Sequence, residues 1–344
     1  MLYGAIDLHL RRSQIRVVDE TGTTVLERRV DTTVAGFTTA FEGRAAMRIV
    51  LESSTDSEWV AQRLEAWGHE VIVADPNYVA MYATRSRRIK TDRRDVAALA
   101  EACRRGIYRA AHRVSPVTRQ WRQQLRIRRH LIRVRTQTIN LLRATVRQDG
   151  YRIRGGAAES VQARVRALPL PPALAATIAP LCALLDRLAR AIRHADRAVC
   201  RVAGEDPVVR RLQTVPGVGP IVGLTFQAQL DTPTRFGGDA GRATAFVGLV
   251  PGEYSSGERQ VKGRITKIGS PELRAMLIQA SWTVWRGRST EAAALRAWTH
   301  TLAARRGRRI AVVALARRLT RILFAVWRDG TIYQPRPTPI GAAT

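Results

Sequence analysis

The stretch Leu2-Tyr3-Gly4-Ala5-Ile6-Asp7-Leu8 decides the fold of the N-terminal region. It reads as a short buried strand with a single carboxylate near its end. The mostly apolar run 47–51 repeats this arrangement, and Glu52 follows directly. Asp92 and Asp95 then open a helical pattern, and their spacing of three places both side chains on one helix face. Two strand ends and one helix therefore deliver carboxylates that we expect to converge.

A carboxylate set of this kind is typical of a nuclease-type metal site. Carboxylate oxygens suit Mg²⁺ or Mn²⁺, and a pair of such ions ~3.5–4 Å apart needs three or four converging carboxylates. Taken singly, each residue has a simpler interpretation, such as a helix-dipole partner for Asp92 or a surface residue for Glu52. Taken together in a basic chain, they favour a metal centre, which His9 could border. The predicted metal ligands are Asp7, Glu52, Asp92 and Asp95.

The overall charge indicates a polyanionic partner. The 344 residues contain 57 Lys and Arg against 28 Asp and Glu, a formal net charge of +29. Lys and Arg neutralise phosphates and release counterions, which supplies most nucleic-acid affinity. A solubilising surface or a GC-rich genome that favours Arg is the alternative explanation, although solubility alone does not require this excess.

Cysteine usage and hydropathy predict a soluble protein of the cytoplasm, without a membrane partner. The three cysteines are far apart and lack the CxxC spacing of zinc sites, which fits a reducing compartment. The sequence has no uninterrupted apolar run long enough to span a membrane and no signal-peptide pattern.

The fold class that we expect is α/β followed by mostly α, in a chain long enough for two or three domains. Residues 1–110 read as a hairpin followed by alternating strands and helices, which fits an RNase H-like sheet covered by helices. Residues 111–205 form a predicted helical arm, and residues 206–332 a predicted C-terminal helical domain. Residues 333–344 are a Pro-rich tail that we expect to be disordered.

The arm combines apolar seams with a strongly basic surface. Residues 118–148 and 173–202 carry apolar side chains at spacings of three, four and seven, which predicts two long helices in an antiparallel arm or a dimerising coiled coil. Acidic residues are absent from 118 to 148, so the arginines between the seam positions are expected to bind RNA or DNA phosphates. The predicted phosphate contacts are Arg119, Arg122, Arg126, Arg129 and Arg133.

A glycine-containing turn in the C-terminal region is a candidate DNA contact. Gly217 and Gly219 belong to Val215-Pro216-Gly217-Val218-Gly219-Pro220, which stands between two helical stretches. Helix-hairpin-helix DNA binders use such turns, because their backbone N–H groups can hold a phosphate. A plain interhelical turn is an equally good interpretation of this motif alone.

A second candidate loop carries Ser256 beside Gly257, with Ser255 immediately before. A hydroxyl next to glycine in a basic loop could be an exposed nucleophile, with the phosphate that it attacks held by nearby cations. The alternative is a loop that grips phosphates without covalent chemistry. The predicted cations are Lys262, Arg264, Lys267 and Arg274.

In this order, the motifs resemble those of the DEDD-type insertion-sequence transposases of the one-ten and eleven-eleven type, which are related to the Piv DNA invertases and guided by a structured bridge RNA. The resemblance spans essentially the whole chain. The N-terminal motifs are Gly4-Ala5-Ile6-Asp7, Val50-Leu51-Glu52-Ser53, Pro76-Asn77 and Lys90-Thr91-Asp92-Arg93-Arg94-Asp95-Val96. The C-terminal motifs are Pro216-Gly217-Val218-Gly219, Phe246-Val247-Gly248-Leu249-Val250-Pro251, Ser256-Gly257, Gly263, Lys267-Ile268-Gly269 and Leu273-Arg274.

The resemblance implies a RuvC-like domain whose four carboxylates bind the metal and a C-terminal transposase domain in which Ser256 joins covalently to a DNA phosphate. It also implies a composite site in a homodimer or homotetramer, with a guide RNA that pairs with donor and target double-stranded DNA. His9 stands where the family commonly has Lys, residues 53–56 replace a Gly-rich stretch, and Val96 stands where Ala is usual. These departures lie beside the carboxylates.

The function that we expect is therefore an insertion-sequence transposase that cuts and rejoins DNA through a serine-linked intermediate. The alternative is a Holliday-junction-resolvase-like, metal-dependent endonuclease that uses the carboxylates without a covalent intermediate. A third hypothesis is a catalytically silent RNA- and DNA-binding protein, which would bind without strand transfer and without a requirement for Mg²⁺.

Overall fold

The computed structural model describes residues 1–84, 91–256 and 261–335. The chain divides into two compact units, Met1–Arg113 and Val114–Thr344. Of the residues named above, Lys90 and Gly257 lie outside the described residues, as do positions 336–344 of the predicted tail. The further division of the second unit into an arm and a C-terminal domain stays a prediction.

A five-stranded mixed sheet organises the first unit and confirms the predicted α/β character. Its strands are β1 (Leu2–Asp7), β2 (Arg12–Val18), β3 (Thr24–Asp31), β4 (Met47–Glu52) and β5 (Glu70–Ala74). Their order across the sheet is β3-β2-β1-β4-β5. The first three strands form an antiparallel meander, whereas β4 pairs in parallel with both β1 and β5.

Helices cover both faces of this sheet. They are α1 (Val34–Phe41), α2 (Ser57–Ala66) and α3 (Asp92–Arg105). One face packs on α1 and α2 around the fully buried Phe41 and Leu64. The opposite face packs on α3 through Leu99, together with Ala5 and Val50. Because strand side chains alternate between faces, every second residue of β1 and β4 points toward α3.

The sequence pattern predicts a helix over residues 92–104, and α3 begins at Asp92 and ends one residue beyond the predicted end. Thr91 is its N-cap, and the Thr91 hydroxyl accepts the backbone N–H of Arg94 at 3.3 Å. Asp92 and Asp95 occupy the first turn, where carboxylates interact favourably with the helix dipole. Gly106 ends the helix in the left-handed conformation (φ 67°). The cap thereby fixes the position of both acidic residues.

Two long helices open the second unit, within two or three residues of their predicted bounds. They are α4 (Pro116–Gln148) and α6 (Pro172–Glu205), with the short α5 (Val161–Arg166) between them. The long helices pack against each other, and Leu142, Val146 and Ile178 are buried in their contact. Within the described residues, α6 alone is long and apolar enough to cross a membrane by length and composition. That is weak evidence, since core helices of soluble proteins pass the same test.

The rest of the second unit is helical, with one small ribbon of two strands. Its elements are α7 (Pro207–Leu212), α8 (Pro220–Leu230), α9 (Ala240–Val247), β6 (Pro251–Glu253), β7 (Lys262–Ile265), α10 (Pro271–Arg286), α11 (Ala293–Arg306) and α12 (Arg308–Asp329). The sequence pattern predicts helices over residues 239–247, 271–285 and 309–327, and the bounds of α9, α10 and α12 lie within two residues of them. The bounds of α8 were not predicted, because α8 is buried on nearly all sides and has no polar face. Helix α11 and the β6–β7 ribbon were not predicted either.

Candidate active site and nucleic-acid contacts

Asp7 and Glu52 end neighbouring parallel strands. Ile6 lies opposite Leu51 in the register of β1 and β4, so Asp7 and Glu52 are the next positions along the two strands. Asp7 and Glu52 each lie two residues beyond a side chain that faces α3, Ala5 and Val50 respectively, so they lie on the same face, and both residues are half-buried. The sheet therefore places the two carboxylates on one face and at one edge.

The first turn of α3 brings the other two predicted carboxylates to this edge. Asp95 is buried, whereas Asp92 is half-exposed. Burial raises the pKa of Asp7, while His9 lowers it and the negative charges of its neighbours raise it further. The charges that raise it belong to Glu52, Asp92 and Asp95. Since charges interact appreciably only over short separations, the four carboxylates form one cluster.

His9 lies between two carboxylates of this cluster. Its Nε2 is 3.2 Å from Oδ2 of Asp7 and 3.5 Å from Oδ1 of Asp92. These three side chains offer ligand atoms that all lie within 4.8 Å of one another. Arg29 Nη2 approaches the second oxygen of Asp92 at 3.9 Å. Clustered, partly buried carboxylates repel one another unless a cation neutralises them, so the donor set fits a divalent metal ion.

Tyr82 is a member of this site that no sequence signal marks. Its hydroxyl donates a hydrogen bond to Oε1 of Glu52. The residue belongs to a helical turn, Val79–Tyr82, in which Met81 is buried against the α3 face of the sheet. In the sequence, a tyrosine in an apolar turn indicates only a core residue. The fold brings its hydroxyl to the carboxylate, so the contact could not be predicted from local sequence.

Ser256 follows β6 and is exposed. The neighbouring Ser255 hydroxyl donates to Oε1 of Glu253, the last residue of β6, at 2.8 Å. Within the described residues, by contrast, nothing hydrogen-bonds to the Ser256 hydroxyl. Three of the predicted cations lie on β7 or just after it, and their side chains are wholly or partly exposed. They are Lys262, Arg264 and Lys267.

Backbone contacts close the base of the ribbon. Gly248 and Gly269 have positive φ values of 75° and 85°, and a Cβ at either position would overlap a carbonyl oxygen, that of Ile268 or of Phe246. Nη1 of Arg274 donates to three carbonyl oxygens of this junction, including that of Ile268 at 3.1 Å. The predicted phosphate ligand Arg274 therefore also holds the two sides of the ribbon base together.

The two glycines of the predicted DNA-binding turn have different surroundings. Gly217 has a φ of 81°, and a Cβ there would lie 2.5 Å from the carbonyl oxygen of Ala280 in α10. Gly219 is the N-cap of α8, and open space surrounds the position of its missing Cβ. Gly217 thus permits close packing of two backbone segments, whereas Gly219 stands at an open helix N-terminus.

The predicted phosphate-binding arginines of α4 fall into two groups. Nε and Nη2 of Arg122 donate to the carbonyl oxygens of Ala228 and Gln229 at 2.6 and 2.9 Å, and burial lowers the pKa of Arg122. Arg122 thereby caps the C-terminus of α8. Nη1 of Arg119 donates to the carbonyl of Val114 at 2.8 Å. The remaining three arginines are exposed, namely Arg126, Arg129 and Arg133.

Comparison with known proteins gives matches over both units. A DEDD family model described as "Transposase" matches residues 5–149, and one described as "Transposase IS116/IS110/IS902 family" matches residues 209–296. A "Probable family 20 transposase" of Pseudomonas aeruginosa is 30% identical over 295 residues, which cover 83% of this chain and 86% of that protein. The transposase for insertion sequence element IS1111A of Coxiella burnetii is 26% identical, over 91% of this chain and 86% of its own. The transposase for insertion sequence element IS1328 of Yersinia enterocolitica is 27% identical, over 83% of this chain and 85% of its own.

The first matched region contains the whole carboxylate cluster, and the second contains both glycines of the turn and Ser256. The fold and this site define a DNA transposase, whose DEDD domain implies the use of a divalent metal ion. The chain belongs to the IS110 family of DEDD transposases, and its substrate is DNA.

Proposed function

We propose that this transposase is a Mg²⁺- or Mn²⁺-dependent, site-specific recombinase that cuts and rejoins double-stranded DNA through a serine-linked intermediate. The observation that carries the proposal is the convergence of four carboxylates from the ends of β1 and β4 and the start of α3. The proposed metal ligands are Asp7, Glu52, Asp92 and Asp95.

The chain's own residues would hold the metal ligands in position. The Tyr82 hydroxyl orients Glu52, and the capped first turn of α3 fixes Asp92 and Asp95. A bound divalent ion supplies Lewis-acid stabilisation of phosphate charge and makes a nearby hydroxyl easier to deprotonate. The residue set therefore suits phosphodiester cleavage.

We assign the covalent step to Ser256. Its Oγ would bond to a DNA phosphorus while the bond from that phosphorus to one deoxyribose oxygen breaks; the serine loses its proton, and the departing oxygen gains one. Rejoining is the reverse, with a hydroxyl of the exchanged strand displacing the serine oxygen. The exposed Ser256 suits this role better than Ser255, whose hydroxyl donates to Glu253. Lys262 and Arg264 are close in sequence and would stabilise the phosphate charge.

The nucleic-acid partners follow from the basic surfaces and the family. The exposed arginines of α4 would bind phosphates, and the N-terminus of α8 at Gly219 would act as a helix-hairpin-helix-like DNA contact. We infer that α4 and α6 form a coiled-coil arm that joins protomers in a homodimer or homotetramer. The guide RNA is proposed from the family resemblance, as is action at the bacterial nucleoid in the cytoplasm.

A covalent-trapping assay tests the proposal. Purified protein is mixed with RNA transcribed from the sequence flanking the element, donor and target DNA, and Mg²⁺, and is then denatured and separated by electrophoresis. We expect a denaturation-resistant protein–DNA adduct from the wild type and from the matched control Ser255→Ala, and none from Ser256→Ala. Asp7→Asn should still bind DNA yet form no adduct. An adduct of wild-type yield from Ser256→Ala would overturn the assignment of the nucleophile.

One observation favours a second candidate, the resolvase-like endonuclease. All four carboxylates belong to the first compact unit, whereas Ser256 belongs to the second, so the first unit has a complete acidic set of its own. A resolvase-like enzyme would cleave branched DNA with Mg²⁺, form no adduct and tolerate Ser256→Ala. The same assay therefore separates the two functions.

A further inference from the structure

An exposed tryptophan stands among arginines on the surface formed by α11 and α12. Trp298 of α11 is 37% exposed, and Cζ of Arg318 lies 4.7 Å from the centroid of its ring. Large aromatic side chains such as Phe226 and Phe324 are instead buried in the core of the second unit. Because an indole has a large planar apolar surface, the exposed part of Trp298 is available for a planar ligand to stack on.

Trp298 forms one wall of an open groove of about 540 Å³. The other wall is one face of α12, since its residues recur at the spacing of successive helical turns. They are Ala314, Arg317, Arg318 and Arg321. The sequence has no acidic residue from 292 to 328, and within the described residues no carboxylate pairs with these three arginines. The groove is therefore strongly positive.

A second groove of about 440 Å³ continues from the first and shares Arg318 and Arg321 with it. Tyr333 lines this second groove and is half-buried. Its backbone N–H donates to the Thr214 hydroxyl at 2.8 Å, which ties the residue to the unit. The two grooves together place an aromatic ring at each side of a pair of shared arginines.

This arrangement has the chemistry of a single-strand site. Unpaired bases stack on aromatic side chains, and arginine pairs its planar guanidinium with phosphate oxygens. A duplex keeps its base faces stacked inside, so it can offer phosphates to the arginines but no base face to Trp298. Arginines without a carboxylate partner within the described residues favour a polyanionic occupant over an apolar protein helix.

We propose that the groove between Trp298 and Tyr333 binds unpaired nucleotides, with one base stacked on the Trp298 indole and the phosphate between bases held by Arg318 and Arg321. The unpaired strand comes from a loop of RNA or from a melted strand of DNA. This inference rests on the proposed function, because it presumes a nucleic-acid substrate. The family region that matches residues 209–296 ends before Trp298, so the indole and the two arginines proposed to bind nucleotides lie outside that region.

Binding to fluorescent oligonucleotides of about 12 residues tests the site, since single-strand sites span roughly 4–16 nucleotides. The probes are oligouridine, oligothymidine and a DNA duplex of the same length, compared at one salt concentration by fluorescence anisotropy. We expect Trp298→Leu to weaken single-strand binding about 10-fold, and Trp298→Phe to retain most of it, because only the stacking ring matters. Duplex binding should be unchanged in both variants.

Charge variants complete the test. Arg318→Gln should weaken single-strand binding several-fold, whereas Arg305→Gln removes an exposed arginine of α11 that does not line the groove and should change it less than about 2-fold. Preference of the wild type for oligouridine, lost in Trp298→Leu, would identify RNA as the source; preference for oligothymidine would identify DNA.

Three outcomes would contradict the inference or the proposed function, and they can be told apart. If the wild type binds single strands and Trp298→Leu, shown to be folded by thermal melting, binds them equally well, the groove is not the site. If Trp298→Leu changes only the oligomeric state, the groove is an interface between copies of the chain and the inference is overturned. If the wild type binds no probe at all, the proposed function itself fails.

Discussion

Nε2 of His9 lies 3.2 Å from Oδ2 of Asp7. The same nitrogen is 3.5 Å from Oδ1 of Asp92, so one imidazole bridges a strand end and a helix start. A lysine, the residue that the family resemblance leads us to expect here, would place a permanent positive charge among the carboxylates. A neutral imidazole can instead donate an electron pair to a metal ion, and it suits zinc and other transition metals better than Mg²⁺.

We therefore expect His9→Gln to alter the choice of metal. Binding of Zn²⁺ should weaken about 10-fold, because an imidazole ligand is lost, while binding of Mg²⁺ should stay within about 2-fold. Isothermal titration calorimetry of the protein without nucleic acid measures both affinities. An equal loss for the two ions would show that His9 only holds Asp7 and Asp92 in place.

Tyr82→Phe should weaken Mg²⁺ binding about 10-fold, because Glu52 loses the hydroxyl that orients it. Tyr78→Phe is the matched control from the same segment, since the ring of Tyr78 rather than its hydroxyl faces Arg109. Calorimetric titration with Mg²⁺, together with a melting curve for each variant, measures the effect. Equal Mg²⁺ affinity in the two variants would show that the Tyr82 hydroxyl does not contribute to metal binding.

Gly217→Ala should destabilise the second unit by about 2–4 kcal/mol. The alanine would have to adopt the left-handed backbone conformation, and its Cβ would crowd the carbonyl oxygen of Ala280. Gly219→Ala has open space around the new methyl group and should cost no more than about 1 kcal/mol, as a weaker N-cap. Urea unfolding followed by circular dichroism compares them. Similar losses in both variants would contradict the packing role of Gly217.

The double variant Arg126→Gln/Arg133→Gln should make nucleic-acid binding less dependent on salt. If both arginines contact phosphates, the slope of log affinity against log salt becomes shallower by about 1.4–1.8. Arg128→Gln is the control, because Nε of Arg128 is 2.5 Å from the Asp196 carboxylate and is not free for phosphate. A double variant with an unchanged slope would place the phosphate contacts elsewhere on the chain.

Thiol labelling should distinguish the buried Cys103 from the exposed Cys200. Burial raises the pKa of Cys103 from its ordinary 9.0 to about 12, so the folded protein keeps this thiol protonated while the unfolded chain ionises it. Between pH 9 and 12 the folded state therefore binds one proton more than the unfolded chain, so the free energy of unfolding falls as the pH rises from about 9 to 12. At about pH 8, iodoacetamide followed by peptide mass spectrometry should find the exposed Cys200 modified first and Cys103 unmodified until urea unfolds the protein. Early modification of Cys103 would show that the core of the first unit opens.

The position of the carboxylate cluster could be predicted because the periodicities of strands and helices fix the directions in which their side chains point. Asp7 and Glu52 follow apolar runs that are buried strands, and the alternation of side chains sends both toward the face that α3 covers. The spacing of Asp92 and Asp95 needs only the geometry of one helical turn. These relationships are local, or they depend on one pairing of adjacent parallel strands.

Other features could not be predicted because they depend on tertiary packing. The Tyr82 hydroxyl reaches Glu52 only after the turn that follows β5 has folded under the sheet. The ribbon of β6 and β7 consists mostly of exposed residues, so no alternation of apolar side chains marks it. Helix α11 buries only Leu295 and Thr299, so its apolar pattern is too weak to indicate a helix. The exposed position of Trp298 on this helix could not be predicted for the same reason.

The junction of Gly248 and Gly269 has a consequence for how this protein can diversify. The two residues meet through main-chain atoms, so the closure of the ribbon base does not depend on which side chains the ribbon carries. Changes to exposed ribbon side chains outside the predicted site residues should therefore leave the base closed and the loop that holds Ser256 in place. Anchoring of the Ser256 loop and the chemistry of the exposed ribbon side chains are thus separate properties of this fold, because main-chain atoms provide the first and side chains the second.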